Sequence, residues 1–253
     1  MIGLQLHELL TVGLAYLTNP YNQRTNHRNT IVSSALNATI QLRFEYDYAL
    51  TPRLGLLAGF GLNHYSNGAT SKPNFGVNLP TLVLGLNYHE RRQAPRANAN
   101  APAPAEVGQR FFNLSASLGY KQPNEGIRER FLVNSLTAAV GRRMNRKSNL
   151  LLGVDGFYDR SLIAELQDST RAGRAQPDVK KAGVFVGHEL LFGRLAFVSH
   201  LGFYVYAPYK SNTAYYERLG LKYHVTNALF GAVDLKLHGG KADVIEFKAG
   251  VRL

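Results

Sequence analysis

A histidine and a serine two positions apart, His64 and Ser66, are the residues of this chain whose types and spacing could do chemistry. Side chains in a β-strand repeat with a period of two, so this spacing aims both at the same side of a sheet. A serine hydroxyl is a poor nucleophile until a base takes its proton, and histidine can do so near neutral pH. The pair therefore predicts acyl transfer, with Ser66 as the nucleophile and His64 as the base.

The stretch around the pair, residues 62–78, supplies further groups that this chemistry needs. Acyl transfer requires donors for an oxyanion and a group that orients the imidazole. Asn67 and Asn74 are amide donors in the adjoining loop, and Gly68 leaves room for backbone N–H groups to approach a substrate. We therefore expect the loop after the strand to complete the site.

In the strand that carries the pair, the residues that point to the same side as His64 and Ser66 are apolar. Leu54, Leu56, Ala58, Phe60 and Leu62 precede His64 at every second position. If this stripe faces lipid, the hydroxyl and the imidazole lie at the edge of a membrane and point at lipid. The pattern therefore predicts a lipid substrate.

Strict alternation of apolar and polar residues continues through the chain and is clearest over 34–50. Lipid-facing and lumen-facing residues alternate in this way in membrane barrels. The predicted strands cover residues 4–17, 34–50, 54–66, 78–88, 109–121, 127–143, 148–161, 179–191, 194–206, 214–225, 228–238 and 242–253. A soluble β-sandwich also alternates, but its strands are typically shorter and fewer.

The connections alternate between tight turns and longer loops, the latter at 18–31, 67–77, 162–178 and 207–213. Short periplasmic turns opposite longer extracellular loops are the layout of outer-membrane barrels. The sequence thus predicts an all-β fold: an antiparallel transmembrane β-barrel of about 12 strands, forming one domain over residues 1–253. Residues 91–108 are rich in Ala and Pro and predict a flexible connection.

Composition narrows the partners and cofactors. The formal net charge of +12 favours anionic partners such as phosphorylated lipid or nucleic acid. There is no cysteine, so disulfides and Cys-built metal sites are excluded, and we expect neither a metal nor a cofactor. The first residues do not resemble a secretory signal. Because a strand begins almost at once, we expect the chain to be incomplete at its N-terminus.

Two further pairs of adjacent residues also contain a histidine beside a group that could do chemistry. In His188-Glu189 and in Ser199-His200 the two side chains are adjacent in sequence. Adjacent side chains of a strand point to opposite faces, so neither pair forms a dyad by itself. These residues are expected to lie in the lumen or at an interface.

The motif His64-x-Ser66-Asn67, followed by Pro73-Asn74-x-Gly76, resembles that of the outer-membrane lipid A 3-O-deacylases, also called acyloxyacyl hydrolases. The resemblance implies a barrel that cleaves an ester-linked acyl chain from lipopolysaccharide at its lipid-facing surface. It implies His64 as base, Ser66 as nucleophile and Asn74 as an oxyanion donor, with the backbone N–H at position 69 as a second donor.

Three departures from the family pattern matter. The usual aromatic residue two positions before the histidine is Leu62, which is a mild change. The family glycine at position 69 is Ala69, and the acid that completes the triad is replaced by Asn78. Parity places Asn78 on the face of His64, so the position is kept and the charge is lost. By resemblance, His64, Ser66, Asn78 and Asn74 are the catalytic candidates, and the substrate-binding candidates are Asn67, Gly68, Ala69 and Lys72.

Three functions remain open from the sequence. The first is an esterase of the bacterial outer membrane that acts on lipid A, lipopolysaccharide or a related glycolipid, with a homodimer as an open alternative and no nucleic-acid partner. The second is a non-catalytic outer-membrane barrel, structural or a pore, that has lost the triad acid. The third, a soluble basic barrel that binds nucleic acid, rests on net charge alone.

Overall fold

The structure is a computed structural model that describes residues 4–88, 90, 107–168, 178–209 and 213–253. Within these ranges it contains twelve antiparallel strands and one short helix. They are β1 (Leu4–Tyr16), β2 (Leu36–Ala49), β3 (Leu54–Ser66), β4 (Val77–Tyr88), β5 (Arg110–Lys121), β6 (Phe131–Asn145), β7 (Ser148–Asp159), α1 (Ser161–Asp168), β8 (Lys180–Phe192), β9 (Leu195–Tyr206), β10 (Tyr215–His224), β11 (Leu229–His238) and β12 (Lys241–Arg252). The all-β prediction is confirmed.

The strands belong to two compact units. The first, the sheet unit, comprises Met1–Asn67 and Phe75–Asn100, and the second, the barrel unit, comprises Gly68–Asn74 and Ala101–Leu253. β1 to β4 form an open four-stranded sheet, while β5 to β12 form a closed barrel of eight strands. The predicted single barrel of about 12 strands is therefore not confirmed, because β12 pairs with β5 and closes the barrel without the first four strands.

Two predictions about connections have different outcomes. The Ala/Pro-rich connection predicted over 91–108 lies outside the described residues except at 107 and 108. The loop predicted from residue 162 is wrong at its start, where α1 forms instead. The side chain of Asp159 accepts a hydrogen bond from the backbone N–H of Ser161 at 3.0 Å, which satisfies an orphan donor at the start of the helix.

The sheet unit separates apolar from polar side chains by parity, as the alternation predicts. On one face Phe44, Phe60 and Leu82 are exposed. On the other face Asn63 donates a hydrogen bond to Thr81 Oγ1 at 3.2 Å. The exposed apolar face is the one that carries His64 and Ser66, because His64 pairs with Ile40 and Leu62 with Leu42 in the register.

The barrel unit has the same alternation around a closed wall. Exposed apolar side chains lie on its outside, among them Leu118, Leu136, Leu152 and Phe247. Polar and charged side chains point inward and are buried. Eight strands leave an interior just wide enough for side chains to fill, so the inward residues form a packed polar core.

Arg218 lies at the centre of this core and is 0% exposed. Its Nε donates to Glu246 Oε2 at 2.8 Å, and its Nη1 donates to Asp155 Oδ1 at 2.7 Å. A second buried group joins Lys222 and Arg252 to Glu189 at 2.5 and 3.1 Å. Paired charges thus fill the lumen where an isolated buried charge would be costly.

We predict that Arg218→Met destabilises the barrel unit by about 3–5 kcal/mol, because two buried carboxylates lose their shared cation. Unfolding of the refolded chain in guanidinium, followed by circular dichroism, measures the loss. Arg128→Met is the matched control, since Arg128 is exposed in the loop before β6, and its effect should stay within about 0.5 kcal/mol. Equal stability of the two variants would contradict the role assigned to Arg218.

Candidate active site

The register of β3 and β4 sets the geometry of the site. His64 on β3 pairs directly with Asn78 on β4. Directly opposed residues on one face of an antiparallel pair have Cβ atoms about 4.5–5.5 Å apart, within reach of a side-chain hydrogen bond. Ser66 is the last residue of β3 and follows His64 on the same face. Local strand geometry therefore assembles all three side chains.

The three side chains form a continuous chain of hydrogen bonds. His64 Nδ1 lies 2.7 Å from Asn78 Oδ1, and His64 Nε2 lies 2.9 Å from Ser66 Oγ. Because an amide oxygen can only accept, Nδ1 carries the proton and Nε2 is left to accept one from the serine hydroxyl. This is the tautomer that a general base needs.

The orienting group at position 78 is an amide, as the sequence shows. A carboxylate would accept from Nδ1 and also stabilise the imidazolium that forms when Ser66 gives up its proton. Asn78 does the first but carries no charge for the second. The arrangement can orient the base and activate the nucleophile, with less stabilisation of the charged intermediate than an acid provides.

The surroundings of the triad differ from one member to the next. Ser66 is buried at 3% exposure, whereas Asn78 is exposed and His64 is half-buried. Leu62, two residues before His64, is exposed on the same face. An acyl chain lying along this apolar face would pass Leu62 before it reached Ser66.

Gly76 is a residue of the site whose role the sequence did not reveal. Its φ is +72°, and a Cβ there would lie 3.3 Å from His64 Cε1 and 3.4 Å from Ser66 Cβ. Its N–H donates to Ile31 O at 3.1 Å, as does that of Phe75 at 2.8 Å. Gly76 thus lets the chain pass close to the triad, and its place in the Pro-Asn-x-Gly motif was the signal for it.

Asn67 belongs to the sheet unit with the triad. It is 5% exposed, and its Nδ2 donates to Ser33 Oγ at 3.4 Å. This contact fastens the start of the loop after β3. The predicted substrate-binding role of Asn67 stays a prediction.

The remaining predicted residues, Gly68, Ala69, Lys72 and Asn74, are described with the barrel unit. Gln122 ties this segment down: its backbone N–H donates to Ala69 O at 3.2 Å, and its Oε1 accepts from the backbone N–H of Lys72 at 3.1 Å. A Cβ at Gly68 would overlap the side chain of Ile245. The structure thus brings His64, Ser66 and Asn78 together in the sheet unit, and the roles of the other four stay predictions.

Ala69 occupies a conformation that explains the glycine of the family pattern. Its φ is +61°, in the left-handed region where a side chain is strained. Glycine adopts this region without that cost. Alanine has the same backbone N–H as glycine. The substitution therefore adds strain to the loop but removes no hydrogen-bond donor.

The basic side chains of the loops that follow β1 and β3 differ in exposure. Arg24 and Arg28 are exposed in the loop before β2, and Lys72 is half-buried. Burial lowers the pKa of Lys72 below its ordinary value. The two arginines are therefore the more accessible cations.

Within the described ranges no helix is both long and apolar enough to span a bilayer. In the same ranges, no group of three or more His, Cys, Asp or Glu side chains could hold a metal ion.

Two family models match the chain and together cover most of it. A model described as "Lipid A 3-O-deacylase (PagL)" matches residues 9–87, which contain His64, Ser66 and Asn78. A model described as "Acyloxyacyl hydrolase, C-terminal domain" matches residues 110–253, which contain all strands of the closed barrel. No curated protein matches the chain.

Two solved structures illustrate the structural matches. A chain from "De novo design of transmembrane beta-barrels" is 13% identical with a TM-score of 0.35, over 59% of this chain and 98% of the designed one. A triple mutant of the Rhodopseudomonas blastica porin is 8% identical with a TM-score of 0.23, over 99% and 100% of the two chains. Neither likeness supports an argument about this chain.

We predict that Gly76→Ala lowers the reactivity of Ser66, because the new methyl group would lie 3.3 Å from His64 Cε1, tight enough to shift the imidazole slightly, and is strained at positive φ. Labelling of the refolded chain with a fluorophosphonate probe measures it, and we expect at least about a tenfold slower reaction. Gly85→Ala on β4 is the control, since its Cβ would make only ordinary contacts, 3.9 Å from Leu57. Unchanged labelling of Gly76→Ala would exclude the close approach as a determinant of reactivity.

Proposed function

This chain belongs to the lipid A 3-O-deacylase (acyloxyacyl hydrolase) family, and we propose that it hydrolyses an ester-linked acyl chain of lipid A or a similar glycolipid in the bacterial outer membrane. The observation that carries the proposal is the hydrogen-bonded chain Ser66, His64, Asn78 within the residues that match the deacylase model. A serine placed against a base whose other nitrogen is held by an acceptor is the arrangement of acyl-transfer enzymes.

The reaction begins when Ser66 Oγ attacks the carbonyl carbon of the ester. His64 Nε2 takes the hydroxyl proton, and the carbonyl oxygen becomes an oxyanion. We assign the side-chain amide of Asn74 and the backbone N–H of Ala69 as its donors. His64 then returns the proton to the leaving sugar hydroxyl, which leaves an acyl group on Ser66. Water, activated by the same imidazole, releases the fatty acid and restores the serine.

The position of the site at the end of an apolar face supports a lipid substrate. Phe60 and Leu62 are exposed on the stripe that leads to His64, and acyl chains of a bilayer would lie along such a stripe. Arg24 and Arg28 are exposed cations that can pair with lipid phosphates. We therefore place the strands in the outer membrane with the triad near its outer leaflet. A single barrel of all twelve strands stays a prediction.

A non-catalytic barrel is the second candidate, and the amide at position 78 is the observation that favours it. Without a carboxylate, the imidazolium formed during attack lacks a compensating charge. The pore version is disfavoured by the described lumen of the barrel unit, where Arg218 and its carboxylate partners are buried. A structural role remains the competing hypothesis.

We predict that the refolded chain removes one acyl mass from lipid A and that Ser66→Ala abolishes this loss, because no other hydroxyl lies at 2.9 Å from His64 Nε2 within the described residues. Mass spectrometry of lipid A after incubation measures it. Ser117→Ala, a serine of the barrel lumen, is the control and should retain activity. Acyl loss that persists in Ser66→Ala would refute the assigned nucleophile.

We predict that Asn78→Asp raises turnover, because a carboxylate at 2.7 Å from His64 Nδ1 both holds the tautomer and stabilises imidazolium. In serine proteases the reverse change costs about 10⁴ in turnover, so a gain between about tenfold and 10⁴ is expected. Rates of acyl release from lipid A are compared for both proteins. Activity found only in Asn78→Asp would establish the non-catalytic candidate for the natural chain.

A further inference from the structure

A groove of about 380 Å³ crosses the outer wall of the barrel unit from β7 to β11 and reaches Gly240 after β11. Its sides are apolar side chains that point away from the lumen, namely Leu150, Val186, Leu201 and Leu219. Two neighbouring rows of outward residues form it. In one row Val186 pairs with Leu201 and Leu201 with Glu217, and in the other His188 pairs with Ser199 and Ser199 with Leu219. The groove lies entirely within one compact unit and contains none of the residues proposed for acyl hydrolysis.

Polar side chains interrupt this apolar wall. His188 pairs directly with Ser199, and Ser148 Oγ lies 2.6 Å from His188 Nε2. Glu217 is the diagonal neighbour of Ser199, because Ser199 pairs with Leu219 two residues further along β10. Neither His188-Glu189 nor Ser199-His200 forms a dyad within itself, as expected. Strand pairing nevertheless places His188 and Ser199 next to each other on the same face.

Glu217 is a member of this cluster whose carboxylate lacks a partner among the described residues. Its Oε2 is buried and accepts no hydrogen bond from any described residue. No cation forms an ion pair with it among the described side chains. A carboxylate on the lipid-facing side of a barrel is costly unless it is paired. Among the described residues, none supplies the donor that this carboxylate lacks.

The cluster is not a second hydrolase. His188 Nδ1 has no hydrogen-bond partner among the described residues, so nothing holds the tautomer that would make Nε2 a base. The polar groups are suited to binding a headgroup.

We propose that this groove binds a glycerophospholipid with a primary ammonium headgroup, of the phosphatidylethanolamine class. The acyl chains of the lipid lie along Leu150 and Leu201, and its ammonium group donates a hydrogen bond to the Glu217 carboxylate. Ser199 supplies a hydroxyl that can donate to the phosphate. Charge complementarity selects the headgroup: choline carries no N–H, and glycerol adds no positive charge to offset the phosphate. The proposal rests on the membrane placement of the proposed function, but not on its chemistry.

The test is native mass spectrometry of the full chain, refolded in detergent with phosphatidylethanolamine, phosphatidylcholine or phosphatidylglycerol of identical acyl chains. We expect phosphatidylethanolamine to be retained at least about tenfold more than the other two. Glu217→Gln should reduce its retention to the level of phosphatidylcholine. Glu129→Gln, an exposed glutamate in the loop before β6, is the matched control and should change nothing. Circular dichroism confirms that each variant has folded.

Equal retention of the three lipids, or an unaltered preference in Glu217→Gln, would overturn the proposal. The deacylation assay separates it from the proposed function. Ser66→Ala should keep the lipid preference while losing acyl release, and Glu217→Gln should keep acyl release while losing the preference. A chain that retains phosphatidylethanolamine through Glu217 but releases no acyl group would leave this site standing and refute only the esterase.

Discussion

The antiparallel register between β3 and β4 is the constraint on which the candidate site depends. It sets His64 opposite Asn78, and the period of the strand then brings Ser66 to the other nitrogen of the imidazole. A slip of one residue would turn Asn78 to the opposite face and leave the base without an orienting group. The apolar face of the sheet unit specifies that register, because every outward Leu and Phe would otherwise change sides. The chemistry of the site is thus a consequence of how two strands pair.

The barrel unit uses the same alternation for a different purpose. Its outward residues are apolar, and its inward residues form ion pairs around Arg218 and Glu189. Eight strands enclose little more than the volume of their own side chains, so the charges are packed against each other and not against water. The family model for the acyloxyacyl hydrolase C-terminal domain covers this unit, whereas the triad lies in the region of the deacylase model. The hydrogen-bonded side chains of His64, Ser66 and Asn78 therefore belong to the sheet unit, and the ion-paired lumen belongs to the barrel unit.

The structure shows the physical effect of the departures from the family motif at positions 69 and 78. Ala69 has a positive φ, which explains why glycine suits that position and identifies strain as the effect of the change. Asn78 occupies the position of the missing acid at hydrogen-bond distance from His64, so the scaffold for orienting the base is present. What the amide lacks is charge, which geometry cannot replace. Gly76 adds a further constraint, because a side chain there would be strained at its positive φ and would lie tight against His64 Cε1.

The sequence by itself determined what depends on local periodicity. It predicted the strands, the parity that puts His64, Ser66 and Asn78 on the exposed apolar face, and the family motif, because side-chain direction in a strand follows from position alone. The tertiary structure decided what depends on pairing between distant segments. Closure of the barrel through β12 and β5, the open sheet of β1 to β4, and the meeting of His188, Ser199 and Glu217 all require a register between strands. Period-two alternation says which face a residue occupies, but many partners satisfy the same alternation, so only the folded chain shows which strand lies beside it.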